Sequence, residues 1–417
     1  MKKKSKTSVF KKVNAFLHLW LGLISGLVVF ILSITGCLLA FQTEINNAIN
    51  KKTFFINPPA NAATLSITQL QANANKALNG NASFITTFSD PKRSWEFLEY
   101  KPGDQTPFWF LNTVDRYKSA FINPYTGEVL MIKDYKNDFF ILVKYLHWNL
   151  LMNDKYGQPI VGYATLVFVL LMISGLILWW PKNLRKTNVD KSFKIKWKAN
   201  FKRLNYDLHN VLGFYAFFIG IILGLTGMVW AMKWFEKTVY VVASQSVTPP
   251  NFINSISDST QKALKNPLDL AFFTAKRSMP EAQRIGLTPA SGTKGVIYVS
   301  GYRGKETFYD YDQLQFDQYT GKLLSRQNFK DKNSGEKIIG MNYDIHVGAI
   351  WGLPGKILAF LASLICASLP VTGVIVWLGK KKKSKKKPQK LRRSLSHLQK
   401  FRNRNLPSDP LKSSASL

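Results

Sequence analysis

The segments LHLWLGLISGLVVFILSITG (17–36) and LHNVLGFYAFFIGIILGLTG (208–227) are two versions of one pattern. In both, a histidine is followed by a glycine four residues later and by a Thr-Gly pair at seventeen and eighteen residues. Each segment is apolar and, as a helix, long enough to cross the roughly 30 Å hydrocarbon core of a membrane. The chain therefore contains a repeat that is organised around membrane spans.

The repeat extends over most of the chain. SGLILWWPK (174–182) matches TGVIVWLGK (372–380), and both follow further apolar runs. The sequence thus predicts a four-helix transmembrane bundle made of two parallel repeats, each with two spans and an outer domain. The predicted first half consists of a basic tail (1–12), a span (13–41), an outer domain (45–140), an interfacial segment with the second span (141–180) and a basic loop (181–207). The predicted second half consists of a span (208–234), an outer domain (236–340), an interfacial segment with the fourth span (341–378) and a basic tail (379–417).

The two outer domains share a turn signature, Asn-Pro-Tyr-Thr-Gly at 123–127 and Asp-Gln-Tyr-Thr-Gly at 317–321. Helix-like stretches at 65–80 and 267–279 come before strand-like alternation in each domain, and glycine suits the positive φ that such a turn requires. The strand-like segments are 94–102, 106–114 and 294–302. We expect two small α+β domains, each with a helix packed on an antiparallel sheet.

The positive charge is concentrated next to the spans. Six Lys or Arg fall in 1–12, nine in 181–203 and fourteen in 379–417, and the acidic residues in these segments are Asp190 and Asp409. Because such segments remain on the cytoplasmic side, both termini are expected there and the outer domains on the opposite side. Nucleic-acid binding, the other common interpretation of a net charge of +33, is disfavoured because the charges lie beside spans, where anionic membrane lipids are the expected partners.

Four of the five histidines lie at the ends of the predicted spans. His18 and His209 open the outward-running spans, whereas His147 and His346 precede the inward-running spans, on short interfacial helices or extended first turns. An ionisable residue at membrane depth is costly and is a functional candidate, and neutral imidazole is a common ligand of haem iron. The pattern predicts two bis-histidine haems b, one ligated by His18 and His209 and the other by His147 and His346.

Glycines fall on the same helical stripes as the histidines. Gly22 lies one turn after His18 and about 40° round the helix, and Gly36 lies five turns after it, about 27 Å along the axis. A flat macrocycle requires a close backbone, which glycine allows. The glycines expected beside the cytoplasmic-side haem are Gly22, Gly213, Gly175 and Gly373, and those expected beside the outer haem are Gly36 and Gly227.

Other interpretations of these residues remain open. Gly22 with Gly26, and Gly220 with Gly224, form G-x-x-x-G patterns that are typical of helix packing. Cys37 and Cys366 lie inside spans, where they are expected to pack as small apolar side chains.

The hydroxyl and basic residues near the spans also have interpretations that involve no cofactor. Thr35 and Thr226 are expected to bond to the backbone of their own helices. Lys12, Lys202 and Arg203 suit either propionates of the cytoplasmic-side haem or lipid phosphates.

Paired outer domains with a D/N-x-Y-T-G turn, spans with H-x-x-x-G and T-G, and Leu-His before the second span resemble the PepSY-associated transmembrane family. Within that family, the chain is most similar to the iron-regulated proteins of the bacterial inner membrane that include ferric-siderophore reductases. The resemblance covers about residues 10–380 and implies PepSY-like periplasmic domains, reduction of a ferric siderophore or other ferric chelate, and a cytoplasmic or quinol electron donor.

Two other functions are compatible with parts of the sequence. The outer domains could bind a protein partner in a non-enzymatic membrane module, although this does not account for four placed histidines. The histidines could instead be transient ligands in a transporter of haem or a metal. We expect a di-haem electron-transfer protein, with the substrate implied by the resemblance alone.

Overall fold

The computed structural model describes residues 9–60, 63–181, 183, 185–250 and 253–404, with side chains as far as 379. The helices in this part of the chain are α1 (Val9–Ala40), α2 (Gln42–Ile49), α3 (Lys51–Phe54), α4 (Ile67–Leu78), α5 (Phe139–Asn149), α6 (Asp154–Trp179), α7 (Lys186–Phe193), α8 (Phe201–Asp207), α9 (Gly213–Ala231), α10 (Lys233–Ser244), α11 (Pro267–Ser278), α12 (Ser334–His346) and α13 (Gly352–Arg404). The strands are β1 (Phe84–Phe88), β2 (Trp95–Pro102), β3 (Val114–Ile122), β4 (Val129–Asp134), β5 (Arg284–Thr288), β6 (Val296–Tyr302), β7 (Tyr311–Asp317) and β8 (Leu323–Gln327).

Four helical stretches among the described residues are long and apolar enough to cross a membrane: α1, α6, Phe201–Ala231 and Ala349–Gly379. The third consists of α8, a π-helical turn over Leu208–Leu212, and α9. α1 packs against α6 and α13, and α9 packs against the same two helices. The prediction of four apolar helices of spanning length is confirmed.

The second span begins earlier than the apolar run indicated. The segment NDKYGQP (153–159) reads as a break, yet the Asn153 side chain caps α6 by accepting a hydrogen bond from the Lys155 amide at 3.0 Å, and Pro159 lies inside the helix. His147 belongs to the separate helix α5, which ends where Leu150 adopts a φ of 57°. His346 is the last residue of α12, and Gly348, with a φ of 77°, turns the chain towards α13.

The strands form one continuous antiparallel sheet, in the order β4-β3-β2-β1-β5-β6-β7-β8. The two predicted domains meet where β1 pairs with β5, with Ile85 opposite Leu287. α4 and α11 pack on the same sheet and share its hydrophobic core, and the Thr68 amide of α4 donates to Asp269 of α11 at 2.9 Å. The predicted α+β character is present, and the joining of both halves around one core adds a feature that the sequence did not indicate.

One predicted strand is wrong. The segment 106–114 contains a 3₁₀ turn over Phe110–Thr113 and, before it, only an isolated bridge from Trp109 to Met152. Its aromatic residues pack on the helices that lead into the bundle, since the Phe110 ring stacks on Tyr145 with centres 3.5 Å apart. Tertiary contacts with α5 therefore replace the pairing that alternation of apolar residues predicted.

Candidate functional site

His147 and His346 face each other at the end of the bundle that is nearer the sheet, and we call them the sheet-side pair. Their ring centres are 6.1 Å apart and their planes are inclined at 66°. Two imidazole nitrogens that each lie about 2 Å from one shared metal ion would place their ring centres roughly 6 Å apart. The observed spacing therefore suits one metal ion between the two rings.

His18 and His209 form a second pair near the basic segments, which we call the basic-side pair. The ring centres are 6.4 Å apart and the planes are inclined at 87°. His18 projects from α1, whereas His209 lies in the π-helical turn that precedes α9. Such turns occur frequently at functional sites. The structure thus brings the four predicted histidines together in the two predicted pairs.

Every one of these imidazoles contacts a hydroxyl group through Nδ1. The distances are 2.8 Å from His147 to Thr35, 2.8 Å from His346 to Thr226, 2.9 Å from His209 to Thr372 and 3.2 Å from His18 to Ser174. These four hydroxyl residues come from α1, α9, α13 and α6 respectively. Each histidine is therefore oriented by a different span.

The hydroxyl protons are already committed elsewhere. The three threonines donate to the carbonyl four residues earlier, as Thr35 does to Ile31 at 2.7 Å, and Ser174 donates to the Asn14 side chain at 2.7 Å. Because a hydroxyl has only one proton to donate, each must accept its hydrogen bond from the Nδ1–H of its histidine. The lone pair is then assigned to Nε2, as in metal-ligating histidines whose other nitrogen is held by a neighbouring group.

A glycine follows each hydroxyl residue and lies against the same ring. A Cβ added at Gly36 would be 3.5 Å from Cε1 of His147, and one at Gly227 would be 3.6 Å from Cε1 of His346. The corresponding distances on the basic side are 3.3 Å, from Gly175 to His18 and from Gly373 to His209. These four glycines lie at the pairs for which they were predicted.

The other two predicted glycines have different neighbours. A Cβ at Gly22 would contact Leu171 at 3.9 Å, and Gly22 does not line either cavity described below. Gly213 lines the cavity of the basic-side pair, where its Cβ would lie 3.4 Å from Leu369. Gly22 is therefore placed as a helix-packing residue, and Gly213 borders the basic-side pair.

A cavity of about 480 Å³ lies beside the sheet-side pair. It is lined mainly by apolar residues of the four spans, together with Gly36, Gly220, Gly224 and Gly227. This volume falls in the range of roughly 300–1,000 Å³ that is typical of cofactor and small-molecule sites. The cavity beside the basic-side pair is about 90 Å³ and is bordered by Leu171 and Leu369. The histidines suit a metal on both sides, whereas the volume suits a macrocycle on the sheet side.

The donor set points to a metal that brings further ligands with it. Within the described ranges, no group of three or more His, Cys, Asp or Glu residues is placed to hold an ion. A porphyrin would supply four nitrogens to its iron, and His147 and His346 would supply the remaining two ligands. Burial lowers the pKa of His147 to about 4 and that of His346 to about 3, which keeps both rings in the neutral form that ligates metals.

Two of the three basic residues considered for the basic side, Lys202 and Arg203, have partners in the protein. Arg203 forms a bidentate ion pair with the buried carboxylate of Asp207, at 2.7 and 2.9 Å. The Lys202 ammonium donates to the Gly379 carbonyl at 3.3 Å. Arg203 is thus committed to holding α8 rather than to a ligand.

A series of aromatic rings leads from the sheet-side pair to the protein surface. The ring centres are 5.3 Å apart from His346 to Trp230, 6.3 Å from Trp230 to Tyr343 and 5.2 Å from Tyr343 to Phe308. Tyr343 lines the cavity, and Tyr343 and Phe308 are each 43% exposed. A series of aromatic contacts therefore connects the cavity with the surface beside the sheet.

The hydroxyl residues were not predicted from the sequence as partners of the histidines. Thr35 and Thr226 do bond to their own helices as expected, but they also hold His147 and His346, and Ser174 and Thr372 were not singled out. A usable signal was present, because each span contains a Ser/Thr-Gly dipeptide, although α1 has a second one at Ser25-Gly26.

The sequence was compared with known families and proteins. The profile described as PepSY-associated TM region matches residues 15–380, which is nearly the whole chain. A search of curated proteins found no match.

Proposed function

The chain belongs to the PepSY-associated transmembrane family, and we propose that it holds two haems b and passes electrons across the bacterial inner membrane to a ferric chelate. The observation that supports this most strongly is the fourfold unit of imidazole, hydroxyl and glycine. It brings two imidazole rings together at each end of the bundle, with ring centres 6.4 and 6.1 Å apart, a spacing that would fit two ligands of one iron. Family membership by itself does not require this arrangement.

Bound haem would supply one-electron chemistry at a potential set by its axial ligands, their hydrogen bonds and the local dielectric. The protein residues perform the other tasks. Thr35 and Thr226 orient the sheet-side imidazoles and make them more electron-rich by accepting from Nδ1–H. Gly36 and Gly227 keep the rings close to the helix backbone. On the basic side, the 90 Å³ cavity must widen by movement of side chains such as Leu171 and Leu369.

We propose that electrons leave on the side of the sheet. The positive-inside rule favours cytoplasmic placement of the basic segments, so the sheet would be periplasmic and the donor, cytoplasmic or quinol, would act at the basic side. The rings of Trp230, Tyr343 and Phe308 supply a contact path from the sheet-side pair to the surface. One electron delivered to a ferric siderophore there gives ferrous iron, which siderophores hold far more weakly.

We also propose that the bundle is made of two parallel repeats. Thr35 with His147 and Thr226 with His346 make the same contact at the same distance of 2.8 Å. Asn14 and Asn205, which are 191 residues apart like His18 and His209, donate to the carbonyls of Ser174 and Thr372 at 3.2 and 3.0 Å. Equivalent residues therefore make equivalent contacts in both halves.

The proposal is tested by purifying the full chain and recording a reduced-minus-oxidised spectrum together with the haem content. We expect low-spin b-type bands and two haems per chain. His18→Ala should remove one haem and leave the other, because each pair forms its own site. A folded, colourless protein, or loss of both haems from this single variant, would contradict the proposal. Reduction of ferric siderophores by the protein in vesicles, followed with a ferrous-iron indicator, then tests the substrate.

A further inference from the structure

The sheet-side cavity has one charged residue in its wall. Among the described residues that line it, Lys144 is the only lysine, arginine, aspartate or glutamate, and most of the others are apolar or glycine. Gln42, Gln158 and Tyr343 contribute uncharged polar groups. A wall of this composition suits a ligand with a large apolar body and an anionic end, because few polar groups then fix its orientation.

Lys144 is placed on the same side of α5 as a histidine of the pair. It precedes His147 by three residues, so both side chains project from one face of the helix about one turn apart. His147 reaches across to Thr35 on α1. A ligand that is held at His147 therefore lies beside Lys144 as well.

The Lys144 ammonium lacks a counter-charge within the part of the chain that the structure describes. None of the ion pairs found there at 4 Å or less includes it, and the contact that it makes is with the ring of the adjacent Tyr145, at 5.4 Å from Nζ to the ring centre. Lys144 is an exposed residue that also lines the cavity. Its ammonium can therefore approach an anionic group of a ligand that is bound there.

We propose that Lys144 binds a carboxylate of the ligand in the sheet-side cavity, which, resting on the proposed function, is a propionate of the haem between His147 and His346. Haem has two carboxylates on one edge and an otherwise apolar perimeter, which matches the composition of the wall. Lys144 is then a positioning residue that sets which way the carboxylate edge points. Gln42 and Gln158 line the same cavity.

The test compares haem with haem dimethyl ester, whose carboxylates are blocked. Full-length protein carrying His18→Ala, expressed without haem, is titrated with each compound so that only the sheet-side pair is filled. With Lys144 present, we expect the free acid to bind about tenfold more tightly than the ester, which corresponds to about 1.4 kcal/mol. Lys144→Met should abolish this preference, and Lys144→Arg should retain it.

Lys155→Met is the matched control, because Lys155, like Lys144, is an exposed lysine near the same end of the bundle but does not line the cavity. It should keep the preference for the free acid. Lys144→Gln provides a second neutral variant if Lys144→Met does not fold. Equal binding of acid and ester with Lys144 present, or an unchanged preference in the neutral variants, would overturn the role of Lys144 while leaving the haem proposal intact. Failure to bind either compound would overturn both.

Discussion

At the scale of single residues, the Ser/Thr-Gly dipeptide is the unit that holds each histidine. Nδ1 and Cε1 are adjacent atoms of the imidazole ring, and the two residues of the dipeptide meet them in turn. The hydroxyl of Thr35 lies 2.8 Å from Nδ1 of His147, and Gly36 leaves space for Cε1. A side chain added at the glycine would therefore crowd the ring, whereas removal of the hydroxyl would remove the hydrogen bond at Nδ1.

Replacing Thr35 with valine keeps the shape of the side chain and removes the acceptor of the His147 Nδ1–H bond. The imidazole becomes a weaker electron donor, so the midpoint potential of the sheet-side haem should rise. A hydrogen bond worth about 1 kcal/mol corresponds to about 40 mV for one electron. Redox titration followed by visible spectroscopy measures the change.

Thr165→Val is the control for this prediction. Thr165 lines the same cavity, but its hydroxyl donates to the Val161 carbonyl at 2.8 Å within α6. This variant should leave both haem potentials unchanged. A similar shift in both threonine variants would show that cavity polarity, and not the hydrogen bond to His147, sets the potential.

Gly36→Leu should expel the haem from the sheet-side site while the basic-side haem keeps its spectrum and potential. A Cβ fits at 3.5 Å from His147 and 3.6 Å from the Ser363 hydroxyl, but the larger leucine branches would extend into the cavity that the haem would occupy. Gly36→Ala, which adds only the Cβ, should retain both haems. Haem content and redox titration decide the matter, and an unchanged sheet-side haem in a stable Gly36→Leu protein would contradict the role of this glycine.

At the scale of elements, α5 and α12 carry the sheet-side histidines back from the sheet to the bundle. Local sequence specifies both helices, since Asp138 caps α5 and Asn333 with Glu336 forms a capping box at α12. Their separation from the spans depends on single turns, at Leu150 and Gly348. Such turns explain why hydropathy located the histidines near the membrane without showing which helix each belongs to.

Lys356, at the start of the fourth span, connects three elements. Its ammonium lies 2.7 Å from Glu44 of α2 and 2.6 Å from Glu306 in the loop between β6 and β7. Lys356 is buried, whereas the two carboxylates are partly exposed. Lys356→Met should lower the free energy of unfolding by about 2 kcal/mol, less than for a fully buried pair, because it leaves two neighbouring carboxylates without a cation.

Denaturant unfolding in detergent measures this change, and Lys233→Met is its control. Lys233 pairs with Glu236 at 3.0 Å on the surface, where its side chain is 90% exposed. Loss of that pair should cost less than about 0.5 kcal/mol. Equal effects of both substitutions would show that Lys356 does not connect the sheet to the bundle.

At the scale of the whole molecule, the basic segments and the sheet lie at opposite ends of the bundle. The basic segments adjoin the ends of the spans that carry His18 and His209, and the sheet adjoins the other ends. The positive-inside rule then predicts that the tail after residue 379 is cytoplasmic. In spheroplasts, a cysteine at Ser384 should be protected from an impermeant thiol reagent, whereas a cysteine at the exposed Ser259, on the side of the sheet, should react.

Cys37 and Cys366 are buried in the bundle and should give little background in this labelling experiment. Labelling of the cysteine at position 384 in intact spheroplasts would reverse the predicted orientation. The direction of electron transfer would then have to be reversed as well, since the aromatic path opens on the side of the sheet.

The sequence by itself determined the number and order of the spans, the α+β character of the intervening segments and the positions of the histidines and glycines. These features follow from composition and spacing along one chain, because a bilayer requires long apolar helices and a helix places residues in regular stripes. Tertiary structure alone decided that the eight strands form one sheet, that hydroxyl groups orient the rings, and that Lys144 and Lys356 lie beside a cavity and a pair of carboxylates. Each of these features depends on contacts between residues that are far apart in sequence, or on which face of a helix packs against its neighbours. Only the packed structure determines these contacts and faces.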